Sequence, residues 1–159
     1  MTHKELVERA ARWLKRDISP RCSVVITKKS IMTSEQPDCI GWTAMGSSVV
    51  VEIKVGRADF KRDAAKPFRK IPGSGMGNRR FYVVPTGLVS VSELPDGWGL
   101  IESHWKIFRV VKPSSIFATR NIHEELRLLL SRIRGGREVR EADEEFDHEV
   151  DVLPARLLS

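Results

Sequence analysis

The sequence predicts a single domain of mixed α/β class, with helices packed on a central sheet. Three features carry that expectation. Residues 3–16 and 121–134 space their apolar side chains as amphipathic helices do. Between them lie β-branched or aromatic runs of strand length, CSVVIT, PDCIGWTA, VVVEIKV and RRFYVV. A chain of 159 residues with 41% hydrophobic content can close one core without disulfides or structural metal.

In the first helix Leu6, Val7, Ala10, Trp13 and Leu14 share a face, and Asp17 to Pro20 end it because a residue before proline avoids the helical region. Cys22–Thr27 reads as a short buried strand, followed by a polar loop over 28–34. Two further strands, Pro37–Ala44 and Val49–Val55, flank a turn at Gly46-Ser47-Ser48. Residues 57–70 read as a basic helix ended or kinked at Pro67, and the glycines between 72 and 78 make a loop. Arg79–Val84 is a strand, Leu94-Pro95-Asp96-Gly97 a turn, and Gly99–Glu102 with Lys106–Val111 a final hairpin. Asn121 is placed to cap the last helix, with Glu124 three residues on, before Gly135-Gly136 stops it.

Composition narrows the partners. The net charge of +6 hides a polarity: residues 1–134 hold 24 Lys and Arg against 13 Asp and Glu, whereas residues 135–159 hold 3 against 8. The chain therefore divides into a basic domain, 1–134, and an acidic tail, 135–159, expected to be solvated. A basic body favours a polyanion, since clustered cations bind phosphates and release counterions. Cys22 and Cys39 stand outside any CxxC or Cys/His cluster and read as buried apolar residues of a reducing, cytoplasmic protein. The charged start cannot be a signal peptide, and no apolar run approaches the ~20 residues that span a bilayer. His3, His104, His123 and His148 lack zinc-site spacing.

The informative cluster is Asp38 before one strand and Glu52-Ile53-Lys54 in the next. Glu52 and Lys54 are two residues apart, so they point to one face of the strand while Ile53 points into the core. Two carboxylates on neighbouring strands can share a hard cation, and the Ile53 carbonyl could join Asp38 and Glu52 as a ligand. Lys54 would then orient water or stabilise charge developing on a phosphate, which is the chemistry of phosphodiester hydrolysis. The competing reading is an ion pair on an open sheet face. Arg57, Lys61, Arg62, Lys66, Arg69 and Lys70 follow, and Arg79 and Arg80 come after the glycine loop; all eight are candidates for DNA phosphates. Asp59 could hydrogen-bond to a ligand side chain or cap the helix, with capping favoured, and Trp42, Trp98 and Trp105 read as packing, with Trp105 beside Lys106 left open as a stacking surface.

The run EQPDCIGW…VVVEIKVGRADFKRD, extended by KELV, GMGNRRFYVVPTGL and LPDGWGL over roughly residues 4–102, resembles the PD-(D/E)xK nuclease superfamily. Within it the chain resembles MmcB-like DNA repair nucleases and related short bacterial and prophage proteins. The resemblance implies a restriction-endonuclease-like αβββαβ core, dependence on Mg²⁺ or Mn²⁺, and DNA as substrate. By position, Asp38 and Glu52 would be metal ligands and Lys54 the catalytic lysine. Many members add an acidic residue from the first helix, for which Glu5 and Glu8 are both candidates and Glu5 matches the relatives' run better. The chain departs from the pattern at Thr27-Lys28-Lys29, where relatives often carry an acidic residue. Many such nucleases dimerise to reach two strands, so a homodimer stays open, as does a catalytically silent DNA-binding or protein-interaction module on the same fold.

Overall fold

A computed structural model describes residues 1–27 and 35–135. Lys28, Lys29, the 28–34 loop and the acidic tail beyond Gly135 lie outside the described residues. The elements run α1 (His3–Arg16), β1 (Val24–Thr27), β2 (Cys39–Trp42), β3 (Ser48–Ile53), α2 (Arg57–Ala64), α3 (Pro67–Lys70), β4 (Arg79–Pro85), β5 (Gly99–His104), β6 (Ile107–Lys112) and α4 (Ile122–Arg134). The expected αβββαβ order is present, and the fold is mixed α/β.

The six strands form one sheet in chain order. β1, β2 and β3 pair antiparallel, β3, β4 and β5 parallel, and β6 returns antiparallel along β5. Strand alternation sorts the core onto two faces. Val49, Val51, Ile53, Phe81, Val83 and Ile101 pack under α1, against Leu6, Ala10, Trp13 and Leu14. Val50, Tyr82, Val84 and Leu100 face the other way, against Phe60, Met76, Trp98, Phe117 and Leu128 of the crossovers and α4. Glu52 and Lys54 take the second face, opposite α1, as the two-residue spacing requires.

Local chemistry sets the element ends. The side chain of Thr2 accepts from Glu5 N–H and Glu5 returns a carboxylate to Thr2 N–H, a reciprocal cap on α1. Pro67 forces Lys66 into an extended conformation, so the basic segment breaks after α2 and restarts as the single turn α3. Asn121 caps α4 by accepting from Glu124 N–H. Asp59 caps nothing: it sits in the first turn of α2 and pairs with Arg62, one turn on, at 3.5 Å. Nor is β1 buried. It forms one edge of the sheet and stays half exposed, since only one neighbour and α1 cover it. Gly41 lies where a Cβ would meet the Cys22 sulfur at 2.7 Å, which lets this buried free thiol seat against β2.

One charged residue of α4 fastens the second layer. Glu125 is 2% exposed. Its carboxylate accepts from Trp42 Nε1 at 2.9 Å, Ser48 Oγ at 2.7 Å, Gly77 N at 2.9 Å and Arg120 Nε at 3.1 Å, so β2, β3 and the glycine loop converge on it. Glu125→Ala strands these donors in a dry interior and is expected to destabilise the fold by about 3–5 kcal/mol. Urea unfolding at neutral pH checks this; a loss under about 1 kcal/mol would show that the hub is not what holds α4.

A buried charge cluster as candidate active site

Continuing the β2–β3 register one step beyond Cys39↔Val51 brings Asp38 abreast of Glu52, and Glu52 pairs with Tyr82 on β4. These side chains meet at the carboxyl ends of the parallel strands, where open α/β sheets commonly bind ligands. Asp38, Glu52 and Lys54 are all buried. The Lys54 ammonium lies 3.3 Å from Glu52 Oε2, 3.6 Å from Asp63 Oδ1 and 3.9 Å from Asp38 Oδ2. Asp38 is aimed by its neighbours: Ile53 N–H donates to Oδ2 at 2.9 Å, and His3 Nε2 lies 3.3 Å from the same oxygen. The structure thus brings together the three residues singled out in the sequence and seats the Ile53 side chain in the core.

Three further residues complete the cluster. Arg69 spreads its guanidinium over three carboxylates: Nε to Asp63 Oδ2 at 3.0 Å, Nη1 to Glu35 Oε1 at 2.5 Å and Nη2 to Glu52 Oε1 at 2.9 Å. Its flat group lies over the rings of Phe68 and Trp98, at 4.7 and 4.5 Å from their centroids. Asp63 also accepts from the Tyr82 hydroxyl at 2.6 Å and the Lys66 ammonium at 2.8 Å. Glu35 accepts from Met76 N–H at 2.6 Å. Glu35 and Asp63 were not expected from the sequence. The only hint was place, since Glu35 stands three residues before Asp38 and Asp63 one helix after Lys54.

Burial governs the electrostatics, because excluding water penalises every charged form, and the neighbouring charges then oppose or reinforce it. Burial pushes Glu52 up to about 8; Asp63 and Asp38 push the same way, against Arg69 and Lys54. Burial would raise Asp63 as well, but Arg69 and the hydrogen bonds from Lys66 and Tyr82 hold it well below the usual range. Lys54 and Arg69 would lose their protons more readily when buried, yet Glu52 and the neighbouring carboxylates keep both above their ordinary values. Burial also raises the Tyr82 hydroxyl, so it stays a donor.

The remaining candidates divide. Arg69 belongs to the buried cluster and cannot reach a DNA backbone. Arg80 is likewise withdrawn: it is 1% exposed, donates to the carbonyls of Gly77, Pro72 and Gly75, and lies over Phe117. Burial lowers it to about 10. Both are interior because the glycine loop and α3 fold back over the sheet, which no local pattern announces. Glu5 is committed to the Thr2 cap, and no contact in the structure joins it to Asp38, Glu52 or Lys54. Arg57 is held by Glu93 and by the Leu88 carbonyl, Lys66 by Asp63, and Arg79 by the Ser19 carbonyl. Lys61, Arg62 and Lys70 are exposed. Among the described residues, no group of three or more His, Cys, Asp or Glu side chains is placed to hold a metal, and no helix is long and apolar enough to cross a membrane.

The raised Glu52 has a measurable consequence. A carboxyl that titrates near 8 when folded and near 4.3 when unfolded imposes no penalty below about pH 4, and an increasing one as pH rises toward 8. Asp63 has the opposite window, since its stabilisation is present above its unfolded value and lost only as pH falls. Glu52→Gln removes the first effect alone. In a chelating buffer, its stability relative to the parent is expected to rise by about 3 kcal/mol between pH 5 and pH 8. A difference that stays flat over that range, followed by urea unfolding, would mean that Glu52 is ionised throughout.

No family model matches the chain, and no curated protein matches it. Among solved structures it is similar to the SPO1766 protein of unknown function from Silicibacter pomeroyi, with a TM-score of 0.55 and 18% sequence identity over 80% of this chain and 84% of that one. At that identity the likeness is one of fold.

Proposed function

We propose that the protein is a divalent-metal-dependent deoxyribonuclease, with Asp38, Glu52 and Lys54 at its centre. The observation that carries the reading is the convergence of two buried carboxylates and one buried ammonium at the carboxyl end of β3. A buried ion cluster with surplus carboxylate is expensive to maintain unless something further compensates it. The resemblance to PD-(D/E)xK nucleases rests on the same residues.

The donor set suits Mg²⁺ or Mn²⁺, which take hard oxygen ligands and often only one or two protein carboxylates. Asp38, Glu52 and the Ile53 carbonyl would hold the ion, which when bound activates water and offsets phosphate charge. The chain's own groups prepare the rest. Ile53 N–H fixes the rotamer of Asp38, and Arg69 orients Glu52 through Oε1. Lys54 places a protonated ammonium where negative charge develops on a phosphate oxygen. Lys61, Arg62 and Lys70 supply exposed charge for the backbone. A repair or phage-processing role and a homodimer belong to the same reading.

One observation favours a second reading, a catalytically silent DNA-binding or interaction module. Both oxygens of Glu52 are already taken by the chain's own cations, Oε1 by Arg69 and Oε2 by Lys54. A panel of labelled DNA structures incubated with Mg²⁺, Mn²⁺ or EDTA separates the two. The nuclease reading expects metal-dependent cleavage that falls at least 100-fold in Asp38→Asn and Lys54→Ala, with DNA affinity retained in each variant that circular dichroism shows to be folded. Cleavage at the parental rate in either variant would remove the site assignment; binding without cleavage in any metal would favour the silent module.

The exposed cations give a second measurement. Replacing Lys61, Arg62 and Lys70 together by Gln is expected to weaken DNA binding and to reduce the slope of log affinity against log salt by about one unit per lost phosphate contact. An unchanged slope would place the DNA path elsewhere.

A further inference from the structure

Trp105 does not pack. Three of the four tryptophans are enclosed, Trp13, Trp42 and Trp98 at 8%, 7% and 1% exposure, but Trp105 is 81% exposed. It is the first residue of the two-residue turn joining β5 to β6, bracketed by the pair His104↔Ile107. Such turns call for positive φ at that position and ordinarily take Gly, Asn or Asp. Trp105 adopts φ 49, the one positive φ at a non-glycine among the described residues. A bulky side chain is disfavoured there, and strain of this kind collects at functional positions. The chain therefore carries its largest apolar side chain where neither burial nor backbone preference supports it.

The position is as informative as the residue. Because β3, β4 and β5 are parallel and in register, the β5–β6 turn emerges on the same edge of the sheet as Lys54. Ideal strand spacings put it two strands across and three residues beyond the lysine, on the order of 15 Å away. The start of α1 lies along that edge, since His3 touches Asp38 and the Met1 sulfur touches Ser103. Lys4 and Lys106 are exposed along that edge with the His3 and His104 imidazoles, Arg57 is exposed but paired with Glu93, and acidic Glu102 is covered by Arg109 and Gly87 N–H. An exposed indole beside Lys106, with Lys4 on the same edge and at the rim of a phosphodiesterase-type cluster, has the composition of a single-strand stacking platform.

We propose that Trp105 stacks on an unpaired base of the substrate, so that the preferred substrate is a single strand or a duplex with a single-stranded end or flap. The inference rests on the nuclease reading and adds the substrate class to it. Stacking uses the π-face of any base, so it selects for unpaired structure without selecting sequence.

The test uses the full chain in EDTA, with oligothymidylate and a blunt duplex as probes. Trp105 is the tryptophan open to solvent, so oligothymidylate is expected to quench the intrinsic emission and to shield it from acrylamide. Trp105→Ala should weaken single-strand affinity by roughly 5- to 100-fold while leaving the blunt duplex unchanged, and Trp105→Phe should keep most of it. Trp105→Gly separates function from fold: it should bind as poorly as Ala yet melt about 2–4 °C higher, because glycine accepts the backbone that tryptophan strains. Equal single-strand affinity of parent and Trp105→Ala would overturn the proposal, as would an equal loss on duplex and single strand. Emission that instead follows protein concentration, in step with dimer in sedimentation, would overturn it in favour of a self-association surface. If the parent cuts DNA with Mg²⁺ while Trp105 variants are unaffected, only the stacking fails; if the parent neither binds nor cuts any nucleic acid, the nuclease reading falls and takes the stacking with it.

Discussion

The guanidinium of Arg69, shared among three buried carboxylates, is the constraint on which the site and much of the second layer depend. A lone charge cannot be enclosed in a protein interior without large loss, and four carboxylates enclosed together would repel one another. One planar cation with several fixed donors addresses Asp63, Glu35 and Glu52 at once, each through a different nitrogen. To present it, the chain stops α2, starts α3 at Pro67 and sets the group against the rings of Phe68 and Trp98. Tyr82, on the β4 strand beneath, adds its hydroxyl to the same aspartate. The short helix, the aromatic slab and the acidic row on the sheet are one solution to one electrostatic problem.

That solution explains what was legible in the sequence and what was not. α1 matched its apolar periodicity because each spacing-compatible residue could bury itself independently against the sheet. Glu52 and Lys54 were readable for the related reason that alternation along a strand fixes which residues share a face. Arg69 and Arg80 read as surface charges because their burial depends on partners supplied from elsewhere: Glu35 lies 34 residues before Arg69, and the carbonyls around Arg80 belong to a loop. Glu125 follows the same logic, since its partners Trp42 and Ser48 lie 83 and 77 residues away. Local pattern reports apolar burial well and charged burial poorly, because a charge goes inside only when the tertiary structure has gathered its counterparts.

Glu5 shows the converse case. A carboxylate on the first turn of a helix near a catalytic-looking strand has a function-like address, but Thr2 three residues before it offers a reciprocal cap. Such a cap satisfies two backbone donors that water would otherwise have to reach, and it is available to the chain as soon as the helix forms. Its effect on the site is indirect: it fixes where α1 begins and so where His3 meets Asp38.

The identity of chain order and strand order across the sheet bears on how the protein comes to be folded. Each strand, once made, finds its partner already present as the exposed edge of a growing ribbon, and no early strand has to wait for a later one to be inserted beside it. A nascent chain leaving the ribosome can extend the sheet one edge at a time, which limits the unpaired surface open to wrong partners at any moment. The exception is α4, the last of the described elements, whose Glu125 reaches back to β2, β3 and the glycine loop. The docking of that helix is therefore what closes the second face of an incrementally built sheet.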